Sequence, residues 1–178
     1  NTQVYFLANS NVQQATIYFY FNGKPYDKEQ NVLFQAFNQY FSGGFTGIVL
    51  DEIREKRSMA YTASGNMSRG ALPGKKASFM GYIGTQSDKV VEAINVFMSL
   101  LDSMPEYPER IESVKAALLQ YAQISKPDFR SKSETYDAWR EMGYEIDPAQ
   151  YNQEAINNLT FEQIKQFYET HIKGQPVS

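Results

Sequence analysis

The stretch from Ala60 to Gly84 restricts the fold most. Hydrophobic residues recur at every second position from Ala60 to Met67 and again from Ala77 to Gly84, with a polar segment holding Pro73-Gly74 between the two runs. A period of two puts alternate side chains on opposite faces of an extended chain, so the stretch reads as an antiparallel hairpin. On both sides the period lengthens to that of a helix. A hairpin set between helical stretches, without regular strand-helix alternation, selects an α+β layer: a largely antiparallel sheet with helices packed on one face.

Upstream, Val4 to Leu7 and Ala15 to Phe21 read as two further strands. In the second, Ala15, Ile17, Phe19 and Phe21 alternate with Thr16, Tyr18 and Tyr20, and Asn22-Gly23 supplies a turn. Asp27, with Gln30 three residues on, predicts the cap of a helix bearing Leu33, Phe37, Tyr40 and Phe41, which Gly43-Gly44 ends. Thr46 is the expected cap of the next helix, which turns Ile48, Val49, Leu50 and Ile53 to the core and runs through Arg54. Ser87 opens another with Val90, Val91, Ile94, Phe97, Met98 and Leu101. Beyond Pro105 and Pro108 a further one carries Ile111, Val114, Leu118 and Ala122 and stops before Pro127. These two are expected to pair antiparallel. Ser131 with Glu134 reads as a capping box before Trp139, Gly143 as a C-cap and Asp147-Pro148 as a helix start. Thr160 with Gln163 opens a last helix through Phe161, Ile164, Phe167 and Tyr168, ending near Gly174. Residues 1–178 show no repeat or linker and read as one domain.

Composition excludes several functions. A chain of 178 residues that is 42% hydrophobic can build a real core, and 13 Tyr with 12 Phe make that core aromatic. A net charge of -3 and a pI near 5.3 provide no electrostatic basis for gripping a nucleic acid backbone. Apolar runs such as Ile48-Val49-Leu50 are too short to span a membrane. The absence of cysteine excludes disulfides and thiolate chemistry and leaves the compartment open, since cytoplasm and periplasm both admit such a chain. A first residue Asn1 in place of Met reads as a processed or excised segment.

Catalytic chemistry is limited by one count. Zinc sites commonly use two histidines on one helical face, whereas this chain has only His171, on which any Ser-His-Asp triad would also depend. No H-E-x-x-H or H-x-x-E-H motif and no G-x-S-x-G elbow is present. His171 reads as a partly exposed residue at a helix C-terminus, where the helix dipole favours it, and has no assigned role. Ser42 to Gly47 is glycine-rich and opens a helix, but it lacks G-K-[ST] and Rossmann spacing, so it reads as a helix end with close backbone packing.

The run Asp51 to Tyr61 holds the candidate site. Its charges, Asp51, Glu52, Arg54, Glu55, Lys56 and Arg57, read first as a solvated helical face. Arg54 and Tyr61 stand out from it. Seven residues are nearly two helical turns, about 10 Å of rise, so the two side chains can converge on one ligand. A guanidinium and a phenol together can hold a peptide carbonyl or an oxyanion, and neither activates water alone.

The run Phe41-Ser42-Gly43-Gly44-Phe45, continuing through Ile48 to Tyr61, resembles the M16 family of zinc peptidases, the pitrilysin, insulinase and mitochondrial processing peptidase group. The quoted stretch looks like that family's glycine-rich helix junction followed by its R-x6-Y pattern. The likeness extends more loosely through Tyr82-Ile83-Gly84-Thr85 to about Tyr121 and again over Thr160 to His171. The resemblance implies an M16 (metallohydrolase LuxS/MPP-like) domain of the C-terminal type, the half that lacks the zinc motif. In that family two homologous halves close like a clam shell; one carries H-x-x-E-H and a distal Glu, the other an Arg and a Tyr that contact substrate. Arg54 and Tyr61 match that pair.

The resemblance therefore implies a half that binds no cofactor itself, a homologous zinc-bearing half as partner, in the same parent chain or as a separate subunit, and an extended peptide as substrate, which can add to a sheet edge. Such domains usually continue into a further apolar strand beyond the Gly174 to Ser178 end, so 1–178 reads as a piece of a longer protein. Two other readings stay open: a noncatalytic M16-like interaction or scaffold domain, and an unrelated α+β peptide-binding module in which the Tyr61 strand does not pair with the Ala77 to Gly84 strand.

Overall fold

The computed structural model describes residues 3–7, 14–44, 47–55, 60–70 and 74–178. Three antiparallel strands, β1 (Gln14–Pro25), β2 (Ala60–Ser68) and β3 (Lys76–Gln86), form a sheet in the order β1-β3-β2. The predicted hairpin is β2 and β3, and their pairing removes the module in which those strands lie apart. Alternation in β1 follows the sequence: Phe19 and Phe21 are buried while Thr16, Tyr18 and Tyr20 face outward.

Two strand expectations fail. The chain does not turn at Asn22-Gly23; β1 continues to Pro25 across a register shift between Asn22 and Pro25. Gly23 is closely packed there, since a Cβ would lie 3.1 Å from Met67 Cε and 3.4 Å from Ala77 Cβ. Val4 to Leu7 form no strand and are exposed, because no ladder among the described residues satisfies their backbone. At Tyr20 the outer edge of β1 instead exchanges two hydrogen bonds, of 2.7 and 2.8 Å, with Ser178, as an antiparallel pair does.

Helices cover the other face. Asp27 accepts a hydrogen bond from Glu29 N–H and opens a 3₁₀ turn that leads into α1 (Asn31–Ser42), which ends at Gly43 as expected. α2 (Ile48–Leu50) runs on into a wider π-type turn, Asp51–Glu55; Gly47 occupies its N-cap, and Thr46 lies outside the described residues. α3 (Val90–Asp102) and α4 (Ile111–Ile124) follow. They pack on different neighbours, α3 on β1, β3 and the Asp51–Glu55 turn, α4 on α1 and α6 (Pro148–Asn157), so the expected antiparallel pairing of the two is replaced by separate docking sites. α5 (Lys132–Glu141) lacks the Ser131 cap bond; Asp128 accepts from Phe129 N–H instead, starting the turn three residues earlier. Asp147 caps α6 through Ala149 N–H, and Thr160 with Gln163 forms the predicted capping box of α7 (Phe161–His171).

The helices register on the sheet through a hollow. Phe19, Gly81 and Gly65 sit opposite one another across the three strands, so the core-facing row has one ring and two bare positions. Phe97 of α3 fills the space over Gly81 and stacks on Phe19, with ring centroids 4.2 Å apart. Phe41 of α1 fills the space over Gly65, where a Cβ would come within 2.8 Å of its Cε1. The next row, Phe21, Phe79 and Met67, closes the core beside it, with Phe21 and Phe79 stacked at 4.9 Å. Gly81→Ala would put a methyl 2.5 Å from Phe97 Cζ. Overpacking of this kind costs about 1–3 kcal/mol, so urea unfolding should show an unfolding free energy lowered by that amount; an unchanged stability would mean that Phe97 does not seat the helix.

His171 corrects an expectation. It is buried, 6% exposed, stacked on Phe167 with centroids 4.4 Å apart, and its Nδ1 has no hydrogen-bond partner. Burial, helped by the charge of Lys24, pushes its pKa below the usual 6.5, so the neutral ring is the folded form and the expected attraction to the helix dipole is absent. The unfolded chain takes up a proton near 6.5 while the folded one resists. This contribution to stability is full above that pH and is lost as pH falls from there toward the lowered folded value. In thermal melts between about pH 7 and pH 5.5, the decline in Tm should shrink in His171→Phe; equal slopes in both proteins would remove His171 from the account.

Candidate functional site

Arg54 lies in the π-type turn that ends the α2 segment, and Tyr61 is the second residue of β2. They are not on one helical face, so the two-turn spacing expected from sequence does not apply; a turn packed against β2 sets their relation instead. Both side chains are exposed, Tyr61 by 57%. Arg57 and its neighbours 56–59 lie outside the described residues.

A break in the sheet aims Tyr61. Ala60 pairs with Thr85 and Thr62 with Gly84, so two neighbouring residues of β3 face three of β2 and Tyr61 is the extra one. Such a bulge bends the strand and turns consecutive side chains to one side. The burial of β2 shows it: Ala60 and Ala63 point to the core, while Tyr61 and Thr62 both face outward. Tyr61 Oη accepts a 3.0 Å hydrogen bond from Gln86 Nε2, which ties the phenol to the end of β3.

The turn that carries Arg54 is braced from the α3–α4 connection. Arg110 donates to Asp51 at 3.2 Å and its guanidinium lies 4.3 Å from the centre of the Tyr107 ring. Glu52 is buried and accepts a long 3.4 Å hydrogen bond from Tyr107 Oη. Asp51 and Glu52 are therefore not the solvated face that a run of charges suggests; they are anchors. Two buried phenols hold the connection in turn. Tyr40 Oη donates to Pro105 O and accepts from Tyr107 N–H, both at 2.8 Å, and Tyr168 Oη donates to Leu101 O at 2.9 Å and accepts from Met104 N–H at 3.2 Å. Burial pushes the Tyr40 pKa up to about 12, against the lowering effect of the Tyr107 N–H, and burial also raises that of Tyr168.

The edges of the sheet are engaged at several points. Asn38 Nδ2 donates to Met67 O at 2.8 Å and Asn38 Oδ1 accepts from Met67 N–H at 2.7 Å, while Ser42 Oγ accepts from Gly65 N–H at 2.5 Å. α1 thus takes the outward backbone groups of β2 from Gly65 to Met67, as Ser178 takes those of Tyr20 in β1. A cleft of about 520 Å³ opens near Ser68, lined by Asn31, Met67, Arg69, Tyr121, Trp139 and Tyr144 among others. It contains neither Arg54 nor Tyr61, and seven strand residues, about 23 Å, separate Tyr61 from Ser68.

The described residues include no group of three or more His, Cys, Asp or Glu placed to hold a metal ion. His171 belongs to no such group, and its ring lies against Phe34 and Phe167. No helix among the described residues is long and apolar enough to cross a membrane.

A family model, the peptidase M16 inactive domain, matches residues 1–118. The chain belongs to the M16 peptidase family. Its M16 fold recurs in solved structures at low identity. A Pseudomonas fluorescens peptidase M16 inactive domain is 18% identical with a TM-score of 0.69, over 93% of this chain and 39% of that one. The Escherichia coli periplasmic protease PqqL is 17% identical with a TM-score of 0.67, over 92% of this chain and 18% of its own. The inactive peptidase domain of a Bordetella parapertussis protein is 10% identical, also at 0.67, over 92% of this chain and 90% of that one. This M16 domain thus spans about two-fifths of the Pseudomonas structure. Comparison with curated proteins returned no match.

Sequence reasoning missed the anchors. Tyr107 and Arg110 carried no signal beyond their place after Pro105, although Tyr40 stood on the predicted core stripe of its helix. Tyr40→Phe removes the acceptor of the half-buried Tyr107 N–H, a loss of about 1 kcal/mol. Urea unfolding should register it; an unaltered stability would show that this hydroxyl does not brace the connection.

Proposed function

We propose that this M16 domain is the substrate-binding, non-zinc half of a zinc metallopeptidase, inactive alone and completed by a homologous half. The zinc-bearing half supplies the metal, the water nucleophile and the general base. This half supplies Arg54 and Tyr61, which hold and orient an extended peptide. The reading rests on one observation: in a chain of the M16 inactive-domain type, the Tyr61 phenol is lifted outward by a bulge at the sheet end against which the Arg54 turn packs.

The chemistry suits that division of labour. A guanidinium offers planar donors to peptide carbonyls or to developing negative charge, and a phenol adds a hydroxyl donor. Braced anchors on both sides fix these donors before substrate arrives, which is what electrostatic preorganisation requires. Because α1 and Ser178 already occupy edge positions of the sheet, contact through the open face is favoured over addition of the peptide at those positions.

The test uses the complete two-half assembly. Arg54→Ala and Tyr61→Phe should each lower kcat/KM for an unstructured fluorogenic peptide about 10- to 100-fold, the equivalent of losing one hydrogen bond to a charged group. Zinc content by elemental analysis should stay constant, and Arg57→Ala should retain near-full turnover. Silent Arg54 and Tyr61 variants beside a damaging Arg57→Ala would move the site by a turn. A stable assembly that cuts no peptide even as wild type would favour the noncatalytic interaction domain.

A further inference from the structure

The open face of the sheet is graded in height. Residues opposite one another across β1, β3 and β2 form successive rows: Thr16, Gly84 and Thr62; then Tyr18, Tyr82 and Ser64; then Tyr20, Met80 and Asn66. The first row is low and the next two carry the bulk. Beyond the low row stand Gln86 and Tyr61, joined by their 3.0 Å hydrogen bond. The low row is therefore a trough between the candidate site and an aromatic step.

Three properties of the step point to a ligand. Tyr18 and Met80 are 63% and 52% exposed, and Tyr20 is exposed beside them, so a contiguous apolar patch faces outward although the core lies on the opposite face. No row from Thr16 to Asn66 contains a charge, in a chain with 17 basic and 20 acidic residues. Finally, Tyr82 leans along its strand: a Cβ on Gly84 would lie 3.3 Å from Tyr82 Oη and 3.8 Å from Cε1. The glycine lets the ring reach over the trough toward Thr62, while Tyr18 supports it edge-on with centroids 5.4 Å apart.

We infer that the Tyr18–Tyr82 step is a specificity subsite that takes an aromatic or large apolar side chain of the peptide. This deepens the proposed function and rests on it. The step lies one same-face interval, about 7 Å along the strand, from the Thr62 row, which is also the spacing of alternate side chains in an extended peptide. Two rings inclined at 62° offer a face and an edge to a third ring or a branched aliphatic chain, and the uncharged surroundings disfavour Asp, Glu, Lys or Arg at that position. The Thr62 and Ser64 hydroxyls and the Asn66 amide, on β2 beside the rings, serve the peptide main chain. A flat interface with the other half would not need a step in height, and an exposed Tyr18 beside a half-buried Tyr82 suits a ligand that comes and goes.

Two quenched fluorescent peptides of identical sequence, with Phe or Asp at each position in turn, decide the matter in the complete two-half assembly. Wild type should prefer Phe at one position by about tenfold or more in kcat/KM, within the range that apolar pockets achieve. Tyr18→Ser, and independently Tyr82→Ser, should bring that ratio below about 2 while Asp-peptide turnover changes little. A general folding defect would lower both peptides alike and leave the ratio, so the ratio isolates the subsite. If Arg54→Ala and Tyr61→Phe impair turnover but the ratio survives both serine variants, the subsite is wrong and the proposed function stands. If all four variants are silent, the proposed function itself fails. Loss of association between the halves in Tyr18→Ser, by analytical ultracentrifugation, with an unchanged ratio would assign the step to the partner half and overturn the inference.

Discussion

Seating two phenylalanines over two glycines is the contact on which the arrangement depends. Gly81 and Gly65 lie side by side in the sheet, and their missing side chains leave room for Phe97 from α3 and Phe41 from α1. Each helix thereby has one position along the sheet at which its largest side chain is accommodated. Interiors packed to crystal-like density transmit such a constraint, because a helix cannot slide without lifting a ring out of its hollow. The placement of α1 then decides much else. Asn38 and Ser42 reach the edge of β2 from it, and Tyr40 reaches the α3–α4 connection. A packing choice at the sheet centre thus sets the position of polar groups toward its edge.

From Tyr40 the constraint passes to the Arg54 turn through polar contacts. The connection after α3 is held by two buried tyrosines whose hydroxyls each donate once and accept once, so each proton and one lone pair of each oxygen is engaged. Tyr107 and Arg110, fixed in this way, stack on each other and bind Glu52 and Asp51. Partly buried charge pairs add little to net stability and much to geometry, since breaking one partner leaves the other without compensation. The turn is held where an exposed Arg54 sits beside the start of β2.

The fold was legible where the signal is local. Alternation over Ala15 to Phe21, the capping box at Thr160 and the cap at Asp147 depend on neighbours within a few residues, and all appear in the structure. Two readings failed for want of distant partners: Val4 to Leu7 has strand-like composition and no described strand to pair with, and Gly23 looks like a turn residue until Met67 and Ala77 are placed against it. Tyr61 was identifiable by type and spacing, but the bulge that aims it follows from the register of β2 against β3 and has no local mark. His171 was the avoidable miss. Ile164, Phe167, Tyr168 and His171 form one stripe at helical spacing, and the burial of the ring was implied by the same rule that placed its neighbours.

The shape of the site also bears on its completeness, independently of the histidine count. A peptide lying on an open sheet face is contacted from one side, whereas sites that bind extended or drug-sized ligands well usually enclose most of the ligand surface. On the proposed function, Arg54, Tyr61 and the tyrosine step orient such a peptide from one side only, which leaves half of it in water, where screening weakens each donor. Closing a second wall over it would both exclude water and bring the missing acid-base groups. On the proposed function, the anchors beneath the exposed Arg54 and the bulged Tyr61 fix two donors in place for a surface that the homologous half completes.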